Sequence, residues 1–404
     1  MISFPLFADV AMAPHDPILG LNEAFQADDN PKKINLSIGV YCDENGKVPV
    51  LECVRKAMSA LAEQAAPRTY LPIDGMAQYK RAVQTLLLGD GAPQITEKRA
   101  VTVQTLGGTG GLKVGADFLH LIAPNAKVWV SNPTWDNHKA IFGGSGFAIA
   151  TYPYYDAATG SYDLSAMLST LKTATAGDII LLHACCHNPT GVDPTSDDWA
   201  KIINVIEEQK LVPFLDIAYQ GFGNGIAEDG EIIRRFAERN VPTFIASSFS
   251  KSFSLYGERV GAVTVICADA DEAARVLSQM KRVVRANYSN PPTFGSAIVS
   301  LVLTQPDLRS LWEEELAGMR KRIHAMRVML RERLAKLDPQ RNFDYIVKQK
   351  GMFSYSGLSA EQVKKLRAQY SVYAVETGRI CVAGLNTRNV DAFAQAMAEV
   401  LQKG

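Results

Sequence analysis

The stretch "FIASSFSKSFSLYGERVG", residues 244–261, decides how the chain folds. Phe244, Ile245 and Ala246 form a short apolar run. Serines follow, and among them Lys251 stands between Phe249 and Phe253. Lysine normally occupies a solvated face, yet the nearest carboxylate in sequence is Glu258, beside Arg259. An apolar run that stops at hydroxyls and a lysine reads as a buried strand with polar groups at its carboxyl end. Open α/β sheets bind their ligands at such ends.

Comparable runs lie on both sides: "AVTVQT" (100–105), "KVWVS" (127–131), "DIILLHACC" (178–186), "LVPFLDIAY" (211–219) and "AVTVIC" (262–267). They are continuously apolar rather than alternating, as strands covered on both faces are, and helix-period segments separate them. After "AVTVQT" come "LGGTGG" and a predicted helix with Leu112, Ala116, Leu119 and Ala123 on one face. The pattern predicts an α/β fold with a mostly parallel sheet. From Pro306 a helix is expected almost to Pro339, carried by Leu308, Leu311, Met319, Ile323, Met326, Leu330 and Leu334. Beyond it, "DYIVKQKGMFSYSGL" (344–358) predicts two short strands around Lys350-Gly351. "SAEQVKKLRAQY" (359–370) predicts a helix opened by a Ser359…Gln362 capping box. "VYAVETGRICVAGL" (372–385) predicts a hairpin around Gly378. These segments suggest a second, smaller lobe.

The 404 residues carry 42 basic and 42 acidic side chains, so neither nucleic acid nor an anionic membrane is an expected partner. With 47% hydrophobic and 21% charged residues, the chain has ample material for a core. No apolar run approaches the roughly 20 residues that span a bilayer. The N-terminal stretch has no Lys or Arg before Lys32, and Pro5, Asp9 and Pro14 interrupt its apolar runs; a signal or transit peptide is not expected. The six scattered cysteines, Cys185 and Cys186 adjacent, suit neither a zinc site nor a disulfide frame. Reduced thiols in a cytoplasmic protein without a metal are expected.

Four strand ends carry unusual residues. Gly107 to Gly111 ("GGTGG") before a helix suits a phosphate on free N–H groups, though a tight turn explains the glycines equally well. Asp216 ends an apolar run, where a deep carboxylate needs a partner; a solvated strand end is the commoner case. Asn188 to Gly191 ("NPTG") is sufficiently explained as a turn. The fourth end is the opening stretch, where Ser248 and Ser250 offer hydroxyls and Arg259 a permanent cation matched to phosphate. Together these groups converge on one ligand with a phosphate, a basic ring nitrogen for Asp216 and a carbonyl for Lys251. Pyridoxal 5′-phosphate (PLP) has all three. An amine that must attack a carbonyl is helped by nearby cations and partial burial rather than by an acidic neighbour.

The chain resembles the class I, fold type I aminotransferases of the aspartate/aromatic branch. The resemblance runs in order from "DPILGL" (16–21) through "INLSIGVYCDENG", "GGTGGLKVGADF", "NPTWDNH", "CCHNPTG", "FLDIAYQGFG", "SFSKSFSLYGERVG", "RANYSNPP" and "GMFSYSGL" to "GRICVAGL" (378–385). "YLPIDG", "PTWDNHKAIF" and "CVAGLN" look most like bacterial aromatic-amino-acid (tyrosine) aminotransferases, whereas "RANYSNPP" and Thr109 look equally like the aspartate enzymes. The resemblance implies a large PLP domain over 49–318 with a mostly parallel seven-stranded sheet, and a smaller α+β domain from 1–48 and 319–404. It implies ping-pong transfer of the amino group from tyrosine, phenylalanine or aspartate to 2-oxoglutarate, with aspartate transamination as the alternative main activity.

Residue by residue, the resemblance makes Lys251 the Schiff-base lysine and proton shuttle, and Asp216 the partner of the ring nitrogen with His138 behind it. Trp135 would stack on the ring, and Asn188 and Tyr219 would bond its phenolic oxygen. Gly108, Thr109, Ser248, Ser250 and Arg259 would hold the phosphate, joined by Tyr70 across a homodimer interface. Arg379 would clamp the substrate α-carboxylate, and Arg285 of the other subunit would meet a second carboxylate. Ile18, Ile38, Gly39, Val40 and Phe353 would line the substrate side. Another PLP chemistry, such as decarboxylation, fits Arg379 and Arg285 less well, since they suit substrates that keep both carboxylates. A non-catalytic PLP-binding module would leave Lys251, Asp216 and Tyr219 idle.

Overall fold

In the computed structural model, seven strands form the central sheet: β1 (Ala100–Leu106), β2 (Lys127–Asn132), β3 (Ala148–Pro153), β4 (Ile179–His183), β5 (Val212–Ile217), β6 (Thr243–Ser248) and β7 (Val260–Ile266). The model describes residues 7–13, 18–239 and 241–402; Asp16 and Pro17 of "DPILGL", and Pro5 and Pro14, lie outside the described residues. The strand order is β1-β7-β6-β5-β4-β2-β3, and only β7 runs antiparallel to its neighbours. Six of the strands were predicted from continuous apolar runs.

The two faces of the sheet explain those runs. Ile179, Leu181, Phe214, Phe244 and Val263 belong to one apolar cluster, packed with Leu112, Ala116 and Leu119 of the helix Gly107–Ile122. Their chain neighbours Ile180, Leu182, Leu215, Ile245 and Ala262 belong to a second cluster, which reaches Trp312 and Leu316 of the long helix. Successive side chains of a strand point to opposite faces. With helices on both faces, both sets must be apolar, and no alternation is visible in sequence.

The long helix spans Pro306–Leu337, with Pro306 in its first turn, where a missing N–H costs nothing. The chain ends meet beside it. Ile34–Asn35 pairs in parallel with Val372–Tyr373, and Phe353–Tyr355 pairs antiparallel with Arg379–Cys381. The capping box is present: the Ser359 hydroxyl accepts from the Gln362 N–H, and the Gln362 side chain accepts from the Ser359 N–H.

Two expectations are corrected. Tyr345–Lys348 is one helical turn rather than a strand; a short apolar run does not by itself separate the two. Around Gly378 (φ +86°) the chain does turn, with the Gly378 N–H donating to the Val375 carbonyl at 2.9 Å. The predicted hairpin arms nevertheless pair with different partners, Val372–Tyr373 with the N-terminal segment and Arg379–Cys381 with Phe353–Tyr355. One local bond stays, from the Val375 N–H to the Arg379 carbonyl at 3.2 Å, and beyond it backbone pairing over long sequence distances takes the place of the ladder. None of the six cysteines is in a disulfide, and all but Cys42 are buried. Among the described residues no helix is long and apolar enough to cross a membrane.

Candidate active site

A cleft of about 640 Å³ opens at the carboxyl ends of β1, β4, β5 and β6. Its floor is Lys251, on the loop that carries β6 back into β7. Because these strands are antiparallel neighbours, with Ser248 opposite Gly261, a loop suffices where parallel strands need a crossover. The Lys251 amine lies 4.9 Å from the centre of the Tyr219 ring. Burial pushes its pKa down to about 8; Asp216 opposes that shift, and the positive charges of Arg259 and Arg379 add to it.

Asp216 is the fifth residue of β5 and lines the cleft. Its Oδ2 lies 3.0 Å from His138 Nε2, and His138 Nδ1 lies 2.8 Å from the Thr134 hydroxyl. His138 is fully buried and stays behind the carboxylate. Burial alone would raise the Asp216 pKa. The His138 hydrogen bond and the nearness of His138 and Lys251 outweigh it and hold the carboxyl below its usual range. Trp135 meets the His138 ring edge-on at 5.3 Å and turns its other side to the cleft.

At one side the helix Gly107–Ile122 begins with no side-chain cap; the Gly107 N–H donates to the Arg259 carbonyl at 2.9 Å, and the N–H groups that follow it, with the helix dipole, are left to an anion. Gly107 has φ +69°, and a Cβ there would lie 2.6 Å from Arg259 Nη2. Only glycine lets the loop and the guanidinium share this corner. Arg259 donates to the Ser250 hydroxyl at 3.4 Å and to the Tyr256 carbonyl at 2.9 Å, and the Ser250 N–H donates to the Ser248 hydroxyl at 3.3 Å. Gly108, Thr109, Ser248, Ser250 and Arg259 all face the cleft.

At the other side Arg379 is buried. It donates to Asn188 Oδ1 at 3.2 Å and to the Ser37 carbonyl at 2.6 Å, and its guanidinium sits 4.2 Å from the centre of the Phe353 ring. Its buried Nε has no hydrogen-bond partner among the described residues. Ile18, Ile38, Gly39 and Val40 close this end, and Tyr219 meets Phe353 edge-on at 5.7 Å.

Two predicted residues are not brought here. Tyr70 is 90% exposed, and the exposed Arg285 bonds the Ser289 hydroxyl; neither lines the cleft of its own chain. Sequence reasoning also passed over Tyr256, which lines the cleft and whose hydroxyl oxygen accepts the Tyr41 N–H at 2.9 Å. Its place between Lys251 and Arg259 was the available signal. Asp136 and Asn137 line the wall beside Trp135 and carried no signal beyond that neighbour.

The family model for aminotransferases of class I and II matches residues 31–397. The chain belongs to that family. As an aminotransferase it keeps every cleft residue named above, except Ile18, within the matched span. It is similar to the aspartate aminotransferase of Pseudomonas aeruginosa, 53% identical over 98% of this chain and 100% of that protein. It is 50% identical to the aromatic-amino-acid aminotransferase of Escherichia coli, again over 98% of this chain and 100% of the relative. Among solved structures it matches the aromatic-amino-acid aminotransferase of Burkholderia pseudomallei covalently bound to pyridoxal phosphate. The TM-score is 0.96 and the identity 57%, over 98% of this chain and 99% of that one.

Proposed function

We propose that this aminotransferase uses PLP to move the amino group of tyrosine or phenylalanine, and also aspartate, to 2-oxoglutarate. The observation that carries the reading is a lysine amine with lowered pKa, set between a buried carboxylate and a buried arginine in one cleft. The residues present fit PLP. The N–H groups of the helix start that follow Gly107, with Ser248, Ser250 and Arg259, suit its phosphate. Asp216, held ionised by His138, suits a protonated ring nitrogen. The orphaned Nε of Arg379 suits a carboxylate that it has not yet met.

When bound, PLP supplies a carbonyl that exchanges amines and a ring that takes up the electron pair left at the substrate Cα. The protein does the rest. Arg379 grips the α-carboxylate with paired N–H groups, which fixes the Cα hydrogen toward Lys251. Lys251 Nζ takes that proton and returns it, a task suited to an amine with a pKa near 8. Asn188 accepts from Arg379 with its carbonyl, which leaves its amide N–H groups to donate. Asp216 keeps the opposing positive charge in place. Trp135 and Tyr219 wall the ring site, and Phe353 with Ile18, Ile38, Gly39 and Val40 excludes water from the side-chain end.

Further parts of the reading concern the whole chain. The active unit is a homodimer, in which Tyr70 and Arg285 serve the neighbouring cleft; their exposure and their absence from their own cleft support this. Residues 49–318 act as a large domain, and 1–48 with 319–404 as a small one, a division supported by the pairing of the two chain ends. The place of work is the cytoplasm, in keeping with free cysteines. Aspartate transamination as the main activity is a second reading, favoured by the 53% identity to the Pseudomonas enzyme.

The deciding experiment is a panel of half-reactions, with tyrosine, phenylalanine, aspartate and leucine each mixed with the PLP-loaded protein and followed by absorbance. Tyrosine and phenylalanine should bleach the cofactor at least as fast as aspartate, and leucine far more slowly. Aspartate about tenfold faster than both aromatics would establish the second reading, and no bleaching with any donor would defeat both.

A further inference from the structure

A second arginine, Arg327, lies in the middle of the long helix and is 2% exposed. Burying a guanidinium is costly unless its charge and donors are met. No ion pair meets it among the described residues. It donates instead to three backbone carbonyls, those of Ile346 and Gly351 at 2.9 Å and that of Phe353 at 2.5 Å. Burial lowers its pKa to about 10, so it remains a cation at neutral pH. A fold that needed only a filled space here would have used a leucine or methionine. Its neighbours Met326 and Leu330 do that, and both are buried.

All three carbonyls belong to the segment that delivers Phe353. The segment is also held from the opposite side. The Lys350 N–H donates to the Gly191 carbonyl at 2.6 Å, and a Cβ on Gly191 (φ +68°) would lie 2.8 Å from the Phe353 oxygen. Gly191 closes the turn that begins at Asn188, the residue that bonds Arg379. Beyond Phe353 the strand pairs residue for residue with the strand of Arg379: Phe353 opposite Cys381, Tyr355 opposite Arg379. The Phe353 ring then lies against the Arg379 guanidinium and the edge of Tyr219.

We propose that Arg327 is a positioning residue for the substrate-carboxylate site: by gathering the Ile346, Gly351 and Phe353 carbonyls it fixes the strand and ring on which Arg379 rests. It touches neither substrate nor cofactor. Its charge is met by carbonyl dipoles converging from a turn and a strand, so the holding is directional in a way apolar packing is not. The inference rests on the proposed role of Arg379 as the carboxylate clamp.

The test uses PLP-loaded protein and non-reacting carboxylates. Maleate and 3-phenylpropionate are titrated against the absorbance of the bound cofactor, and PLP content is measured separately after alkaline release. Arg327→Met should bind both acids at least about tenfold more weakly, with PLP content unchanged. Its KM values should rise for every amino acid and oxo acid, with kcat changing much less. Arg327→Lys keeps the charge but cannot span three carbonyls, and should fall in between. Arg327→Met that folds, holds PLP and binds maleate as the wild type does would overturn the assignment. If Arg327→Met does not fold, wild-type maleate affinity in Arg327→Lys would overturn it equally. If neither folds, Arg327 is a fold residue only and the assignment falls. Wild-type protein that gives no maleate response would defeat the clamp role of Arg379 itself, and Arg327 with it, a result distinguishable from loss confined to the variants.

Discussion

Lys251 is part-exposed in the cleft, and the desolvation it undergoes there and its proposed work as a nucleophile both favour a neutral amine. Without a cofactor its amine is pushed down to about 8 from 10.5. Between those values the unfolded chain binds more protons than the folded one, so stability of the cofactor-free protein rises with pH across that window. Below pH 8 the folded state carries the full cost of holding an ammonium there, on the order of 3 kcal/mol, and less where cleft water still solvates it. Lys251→Met should therefore abolish turnover and stabilise the cofactor-free protein at pH 7 by up to about that amount. The gain should fade by about pH 10.5. Urea unfolding of both proteins at pH 7 and pH 10 checks this, and an equal difference at the two pH values would contradict it. The same burial that is unfavourable to the empty protein leaves a usable fraction of neutral amine at physiological pH. That is the sense in which the lysine of the opening stretch, without an acidic neighbour in sequence, is suited to its place.

At the scale of elements, the glycine loop and the helix it opens are set against the Arg259 side chain. Gly107→Ala would place a methyl against the tip of Arg259, a flexible end that can swing away. The fold would then lose only the cost of a left-handed alanine, about 1–2 kcal/mol, while the guanidinium leaves the phosphate corner. PLP affinity should drop at least about tenfold with a small change in melting temperature; retention of wild-type affinity on dialysis against phosphate buffer would refute this. What sequence could show follows from the same elements. The five strands from the middle of the sheet and β1 were legible because both of their faces are buried. The edge strand β3 was not, since all but one of its residues are exposed or part-exposed and its last is Pro153. Tyr345–Lys348 and the arms around Gly378 were misread because their state is decided by partners far away in sequence, Arg327 and the Ile34 segment. In the site, strand ends carried local signals for Asp216, Lys251 and the phosphate groups. Arg379 sits past a turn with no such signal, and only the family resemblance pointed to it. Tyr70 and Arg285 were invisible to local patterns for the further reason that their proposed partners are in another subunit.

At the scale of the molecule, the proposed dimer makes each cleft a composite. Lys251→Ala and Arg285→Ala subunits should each be poorly active on aspartate alone. Mixed in equal amounts and allowed to exchange, they should recover about a quarter of wild-type activity, because half the dimers are mixed and each mixed dimer has one intact cleft. No recovery after demonstrated exchange, or a fully active monomer in sedimentation, would rule the composite out. One further consequence lies in the pairing of the chain ends. Ser37 meets Arg379, and Ile34 meets Val372, across more than three hundred residues of intervening chain. The strand bearing Asp216 and the loop bearing Lys251 leave the ribosome well before Arg379 does. A nascent chain can assemble the sheet and the phosphate corner while its N-terminal segment still waits, unpaired, for a strand not yet synthesised. The proposed grip on substrate is therefore the last part of the cleft to exist, and a chain released early has Lys251 without the arginine proposed to hold an amino acid over it.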